Sequence, residues 1–336
     1  MKLVMLKNQT IYLLFGLLLV LIYLILGSGL HGDDYVVISN FRSSNFGDFI
    51  TINVEKIMKF NIATYYSFWF FYFSLGEEHQ WVYDSIKIVS HAISFFLVYK
   101  FSTDYLPKDR AVLVSLIFIL YPLHDTTAYW YMTAPYILIP ATILYAHHLI
   151  RNNKSALGFF VSMLGAFSYY ISPPYIFGLS VIFLFEKNFK KAIIFVTPGV
   201  LYVAYYFWIK LHYVGVERRI DSDLSVLDFF KQMLIQPLSF LESAIGPSYW
   251  LKVFYAIESI SLVSVIIVAL ISVFAFIKIG SFSKALNISK SLYIGLISVL
   301  ILSFGMYALT GLYSHSAFNL GNRSTVYGSL FIAFLL

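Results

Sequence analysis

Two adjacent carboxylates, Asp33 and Asp34, stand directly after the first long apolar run, in the stretch His31-Gly32-Asp33-Asp34-Tyr35. Paired acids at the mouth of a membrane helix are costly to hold near low dielectric unless something binds or uses them. Carboxylates of this kind take protons from hydroxyls or orient them. A second set lies at Tyr121-Pro122-Leu123-His124-Asp125, followed by Tyr129-Trp130-Tyr131. Later come Arg218-Arg219 and Asn322-Arg323. Arg presents a fixed fork of donors that matches phosphate, and aromatic faces stack on sugar rings. Together these residue types suit a sugar joined to an anionic phosphate.

Each residue also has a plain structural account. Asp33 and Asp34 would serve equally as solvated helix-end acids or as a cap for the next segment. His124 and Asp125 follow Pro122 and fit an ordinary capping turn. Arg218 and Arg219 could meet lipid head groups, and Arg323 could snorkel to an interface. Pro173-Pro174 reads as a divider between two short helices, and His147-His148 as interfacial. His91 is expected to be a packing residue, and Asp84 and Lys87 are spaced to pair along one helix face. His31, Asp33, Asp34, His124 and Asp125 lack tight ligand spacing. A divalent ion is therefore compatible with these acids but not expected.

The elements that carry these residues follow from composition. Of 336 residues, 60% are hydrophobic and 12% charged, which describes an integral membrane protein and excludes a soluble enzyme. The net charge of +6 comes from Lys and Arg in short loops between apolar runs, a topology signal that speaks against nucleic-acid binding. With 0 cysteines, disulfides and thiolate metal sites are excluded. Residues 11–30 carry no charge, and about 20 such residues span the hydrocarbon core. That stretch is too long for a typical leader, and Gly27-Ser28-Gly29 is a poor cleavage site, so a retained helix is expected.

Further apolar runs lie at 81–99, 111–123, 133–150, 156–171, 174–185, 192–209, 255–277, 291–312 and 325–336. Strand-like alternation is absent, so helices are expected throughout. The sequence predicts one all-α, polytopic domain over 1–336 with about 10 transmembrane helices. The last run stops at Leu336, which leaves open whether a final helix ends there or the chain continues. If each run crosses once, the groups around Lys100, Lys108, Arg110, Arg151, Lys154, Lys187, Lys190, Lys191, Lys278, Lys284 and Lys290 share one side. That side is the cytoplasm, with the N-terminus inside. Trp69, Trp81, Trp130, Trp208 and Trp250 then fall on the outer side. Two long outer loops result, 31–80 and 210–254; the first is predicted to carry an interfacial or re-entrant helix and the second a helix on the membrane surface. These helices are Phe60 to Leu75 and Leu224 to Leu241.

An acidic pair after helix 1, a long first outer loop with surface helices, and a second acid after helix 3 resemble the GT-C superfamily of membrane glycosyltransferases. The sequence-specific part of the resemblance is short: His31-Gly32-Asp33-Asp34-Tyr35, His124-Asp125 and, more weakly, Asn322-Arg323. The large soluble outer domain of many members is missing, as in smaller bacterial and phage-type enzymes that decorate O-antigen or other surface glycans. The resemblance implies transfer of a single sugar from a polyprenyl-phosphate donor, with inversion, on the outer face of a bacterial inner membrane. Asp33 or Asp34 would be the base. His31, Tyr35, His124, Asp125, Tyr129 and Trp130 would line the substrate site with Asn322, and Arg323 or Arg218 and Arg219 would hold the lipid phosphate. The partners implied are membrane lipid and a glycan acceptor, with no nucleic acid. A polysaccharide polymerase or ligase and a lipid-linked-sugar flippase are the alternatives. The oligomeric state is not legible.

Overall fold

Away from water, a helix pairs every backbone N–H and C=O within its own segment, so long apolar runs become helices. The computed structural model describes residues 16–22, 24–25, 29–51, 64–212, 224–259, 261–262, 266, 289–310, 315–318 and 324–335. Among them the regular structure is all helical. The first apolar run is helical over 16–22 and 24–25. It is followed by α1 (Asp33–Phe41), α2 (Thr64–Leu75), α3 (Gln80–Ser102), α4 (Lys108–Ile119), α5 (Asp125–Tyr129) and α6 (Pro135–Arg151). Then come α7 (Ser155–Ser168), α8 (Ser172–Phe185), α9 (Phe189–His212), α10 (Val226–Ile245), α11 (Pro247–Ser259), α12 (Lys290–Thr310) and α13 (Val326–Leu335).

Among the described residues, three helical stretches are long and apolar enough to cross a membrane: Glu77–Ser102, Phe189–Ile209 and Lys290–Thr310. Lys108–Ile119 and Pro122–Tyr129, bent by 46°, make a fourth if they count as one broken span. The helices begin and end close to the apolar runs, yet fewer reach spanning length than the sequence predicts. The reason is length. Helices α7 and α8 have 14 residues each; at 1.5 Å per residue they rise about 21 Å, short of the roughly 30 Å core. Part of the run at 255–277 falls in α11, and most of the rest lies outside the described residues.

Where lipid is as apolar as leucine, close backbone approach matters more than burial for holding helices together. A Cβ on Gly178 of α8 would lie 2.5 Å from the Val299 backbone nitrogen of α12. One on Gly295 of α12 would lie 2.4 Å from Ile182 Cγ1. Around this crossing a continuous core gathers Tyr136, Ile143, Tyr175, Leu179, Phe183, Val299 and Tyr327. A second core joins α1, α2 and the start of α3 through Phe41, Phe49, Phe68, Tyr72, Tyr83 and Tyr131.

The two ends of α3 mark two polar regions, separated by its 23 residues, about 34 Å of helix. At its C-terminal end the loops that follow α3, α6 and α8 meet. Asp104 lies 3.0 Å from His148 Nδ1 and accepts from Asn152 Nδ2. Arg151 donates to both Glu186 oxygens at 2.9 and 2.7 Å and lies 4.7 Å over the Tyr105 ring. Lys191 Nζ donates to the Arg151 carbonyl at 2.7 Å. Here His147 is fully buried within the protein and stacks on Phe183 at 4.2 Å.

The helix predicted over Leu224 to Leu241 forms as α10. Ser225 caps it by accepting from the Asp228 amide at 3.1 Å, one of the first-turn donors that a helix leaves unpaired. Leu227, Phe230, Leu234, Leu238 and Leu241 form an exposed apolar face, while Phe240 and Ala244 pack on Phe304. Exposed Trp250, Phe254 and Ile257 extend that apolar surface along α11.

Candidate functional site

The acidic pair enters structure through a turn that only glycine makes easily. Gly32 has φ +51, and a Cβ there would meet the Trp130 ring at 3.5 Å. The chain reaches this turn fixed on both sides of Gly29. Its amide donates to Asp84 Oδ1 at 2.9 Å, and its carbonyl accepts from Lys87 Nζ at 2.8 Å. Lys87 also pairs with Asp84 at 2.8 Å, the predicted i,i+3 contact. Its third partner is the Tyr129 carbonyl at 2.7 Å. All three donors of this buried ammonium are used, so Lys87 is a rivet between the first apolar run, α3 and α5.

The two neighbouring acids then diverge. They open α1, where negative charge suits the helix dipole. Asp33 is exposed, whereas Asp34 is fully buried. The Asp34 carboxylate accepts from the His31 amide at 2.9 Å, the Tyr72 hydroxyl at 2.5 Å and the Met132 amide at 3.2 Å. Burial pushes its pKa up, opposed by the Tyr72 hydroxyl, the two amides and the charge of Lys87. Tyr72 and Tyr131 meet edge-on at 5.3 Å, and Tyr83 reaches back to the Phe71 and Gly76 carbonyls at 2.9 Å each. Asp34 thereby ties α1, α2 and the 130–133 turn into one unit.

Above that unit lies a cleft of about 480 Å³ lined by His31, Gly32, Asp33, Asp125, Thr126, Tyr129 and Trp130. Five of the residues singled out in the sequence thus share one wall, although about 90 positions separate the two groups. Asp125 starts α5 and receives Lys252 Nζ of α11 at 2.7 Å; the same ammonium donates to the Ala317 carbonyl at 2.8 Å. Two carboxylates, an imidazole and two aromatic side chains around one opening can orient hydroxyls and accept a proton.

Three predicted residues stand apart from the lining. Asp34 lies beneath the cleft, as described. Tyr35 is 47% exposed on α1. His124 is fully buried, wedged between the rings of Phe118 and Tyr121 at 5.5 and 5.3 Å. Arg218, Arg219, Asn322 and Arg323 lie outside the described residues. Among the described residues no group of three or more His, Asp or Glu side chains could hold a metal.

Sequence reasoning missed Lys252 and Tyr72. Lys252 left a signal: it is the one cation in the otherwise apolar and aromatic Trp250–Tyr255 segment. Tyr72 left none, since it sits in an unbroken aromatic run, Phe68 to Phe73.

Compared with known proteins, the chain matches no family model, no curated protein and no solved structure.

Proposed function

We propose that this protein is a membrane glycosyltransferase that moves a single sugar from a polyprenyl-phosphate donor to a surface-glycan or lipid-linked acceptor. The observation that carries this reading is the shared cleft of Asp33, Asp125, His31, Tyr129 and Trp130 at one end of an apolar helical bundle. An apolar groove of about 470 Å³, lined by Pro173, Phe177, Tyr206, Met233, Ile301 and Met306 among others, supplies a lodging for hydrocarbon. The Lys- and Arg-bearing loops around Arg151 and Lys191 gather at the opposite end, which by the positive-inside rule is cytoplasmic. The cleft then faces outward. The short helices would complete about 10 crossings by tilting or thinning the bilayer.

In this mechanism an acceptor hydroxyl oxygen attacks the anomeric carbon, forming the new glycosidic bond with inversion. The bond from that carbon to the phosphate oxygen breaks, and its electron pair stays on the lipid phosphate. Asp33, as the reachable acid, takes the hydroxyl proton, while His31 and Asp125 orient sugar hydroxyls. Cations near the departing phosphate stabilise the charge that grows there.

The interlocked charges at the cytoplasmic end favour a catalyst over a flippase, which needs polar gates on both sides. The test is a transfer assay with purified full-length protein, a panel of polyprenyl-phosphate sugars and cell-envelope acceptors. Transfer that Asp33→Asn abolishes is the expected result. Absence of transfer from any single-sugar donor by folded protein would overturn it.

A further inference from the structure

The cleft presents two carboxylates, Asp33 and Asp125, to a donor that is itself an anion on the reading above. Like charges at close quarters cost binding energy, so the cleft needs a cation that can reach the ligand. Among the described residues two ammonium groups touch its wall, and they differ in kind. Lys87 is buried and has an oxygen partner for each of its three donors. No donor is left for a ligand. Lys252 has two acceptors among the described residues, Asp125 Oδ2 and the Ala317 carbonyl, for the same three donors. Its side chain is 18% exposed and that of Asp125 is 35% exposed, so solvent reaches the pair.

The origin of Lys252 strengthens the contrast. Lys87 belongs to α3, which is fixed in the bundle core by Phe95 and Val98. Lys252 belongs to α11, which has no buried residue of its own and exposes Trp250, Phe254 and Ile257. It follows directly on α10, whose Phe229 and Met233 line the apolar groove. Two consecutive helices, α10 and α11, therefore touch the groove and the acid of the cleft respectively. A lipid-borne phosphate could bring its chain to the first and its charge to the second.

We propose that Lys252 is the phosphate-recognising residue of the cleft, and that its pairing with Asp125 is the resting arrangement which the phosphate of a lipid donor replaces. Arrival of the anion draws the ammonium away from Asp125 and opens the oxygen it held, Oδ2, to sugar hydroxyls. Recognition of the lipid phosphate and readiness for the sugar are thus coupled through a single side chain. The proposal rests on the glycosyltransferase reading for the identity of the donor but not for the existence of the anion site.

The experiment compares binding of polyprenyl monophosphate and of uncharged polyprenol of equal length to the purified full-length protein in nanodiscs. Inorganic phosphate serves as a third probe. The unaltered protein should prefer the phosphorylated lipid. Lys252→Gln should reduce that preference on the order of tenfold and leave polyprenol binding unchanged, and Lys252→Arg should restore most of it. Asp125→Asn, which removes the negative charge facing Lys252, should raise affinity for the phosphorylated lipid. Full preference in folded Lys252→Gln, or lower affinity in Asp125→Asn, would overturn the proposal. Equal Lys252-dependent binding of inorganic phosphate would overturn the lipid as source. The two readings fail separately. Lys252-dependent preference without any sugar transfer leaves the anion site standing and removes the enzyme, whereas transfer with Lys252-independent preference does the reverse.

Discussion

The two ends of the bundle handle charge in opposite ways. Around Arg151, the ions engage one another across α3, α6, α8 and α9: Asp104 with His148 and Asn152, Arg151 with Glu186, and Lys191 with the Arg151 carbonyl. Around Gly32, two acids sit side by side and only one is tied down. Asp34 accepts three hydrogen bonds beneath the surface, while Asp33 faces a cleft of about 480 Å³. The first arrangement holds helices in register. The second combines a fixed support with a group left reachable, as binding and catalysis need.

The sharpest way to break this comparison is to exchange the neighbours. Asp33→Asn should cut sugar transfer on the order of 10² or more, about 2.7 kcal/mol, with thermal stability unchanged. Asp34→Asn should do the reverse. Its new NH2 cannot accept the hydrogen bonds that the two carboxylate oxygens share, leaving a buried donor unmatched at a cost of about 2 kcal/mol. Comparing melting temperature with initial rate for each variant separates the roles. Loss of rate with equal loss of stability in both would erase the distinction.

The same pair has a pH signature. The pKa of Asp34 is raised by burial, so the folded state holds its proton more tightly than the unfolded chain. The stability this contributes is complete below the unfolded value of about 4 and is lost as pH rises through the folded value. Asp34→Asn should flatten stability across that window. Thermal melts at stepped pH measure the slope, and an unchanged slope in Asp34→Asn would show that Asp34 titrates normally.

Trp130 sharpens the contrast on the binding side. Its ring packs over Gly32 and, only 6% exposed, forms part of the cleft wall. Trp130→Ala should raise the apparent KM for substrate about tenfold, near 1.4 kcal/mol, with a smaller change in kcat. A fall in kcat alone would place Trp130 with the reacting groups instead.

How much of this was legible follows from the range of the contacts. Helix positions were readable because apolar runs and their breaks are local: α3, α6, α8 and α12 begin and end near the runs at 81–99, 133–150, 174–185 and 291–312. The cleft was readable as two short polar stretches. What divides Asp33 from Asp34 was not, because it depends on the Tyr72 hydroxyl and the Met132 amide, 38 and 98 positions away. His124 shows the same limit: beside Asp125 it looks like a site residue, but the pocket between Phe118 and Tyr121 takes it inward. Lys252 reaches Asp125 across 127 positions, a distance that no local pattern encodes.

The smallest expected effect tests the closed end. Arg151 and Glu186 are 27% and 29% exposed, so solvent screens the pair and an exposed ion pair of this kind contributes about 0.5 kcal/mol. The stacking of Arg151 over Tyr105 at 4.7 Å adds a comparable amount. Arg151→Ala should therefore lower stability by about 1 kcal/mol and leave KM and kcat within twofold, because the cleft lies a full helix length away. Glu186→Gln, which removes the ion pair but not the stacking, should cost about half as much. Raising salt should shrink the gap between Glu186→Gln and the unaltered protein while preserving the stacking share. If Arg151→Ala instead changed KM for the lipid donor, the two ends would be coupled through α6, and the division between a holding end and a working end would fail.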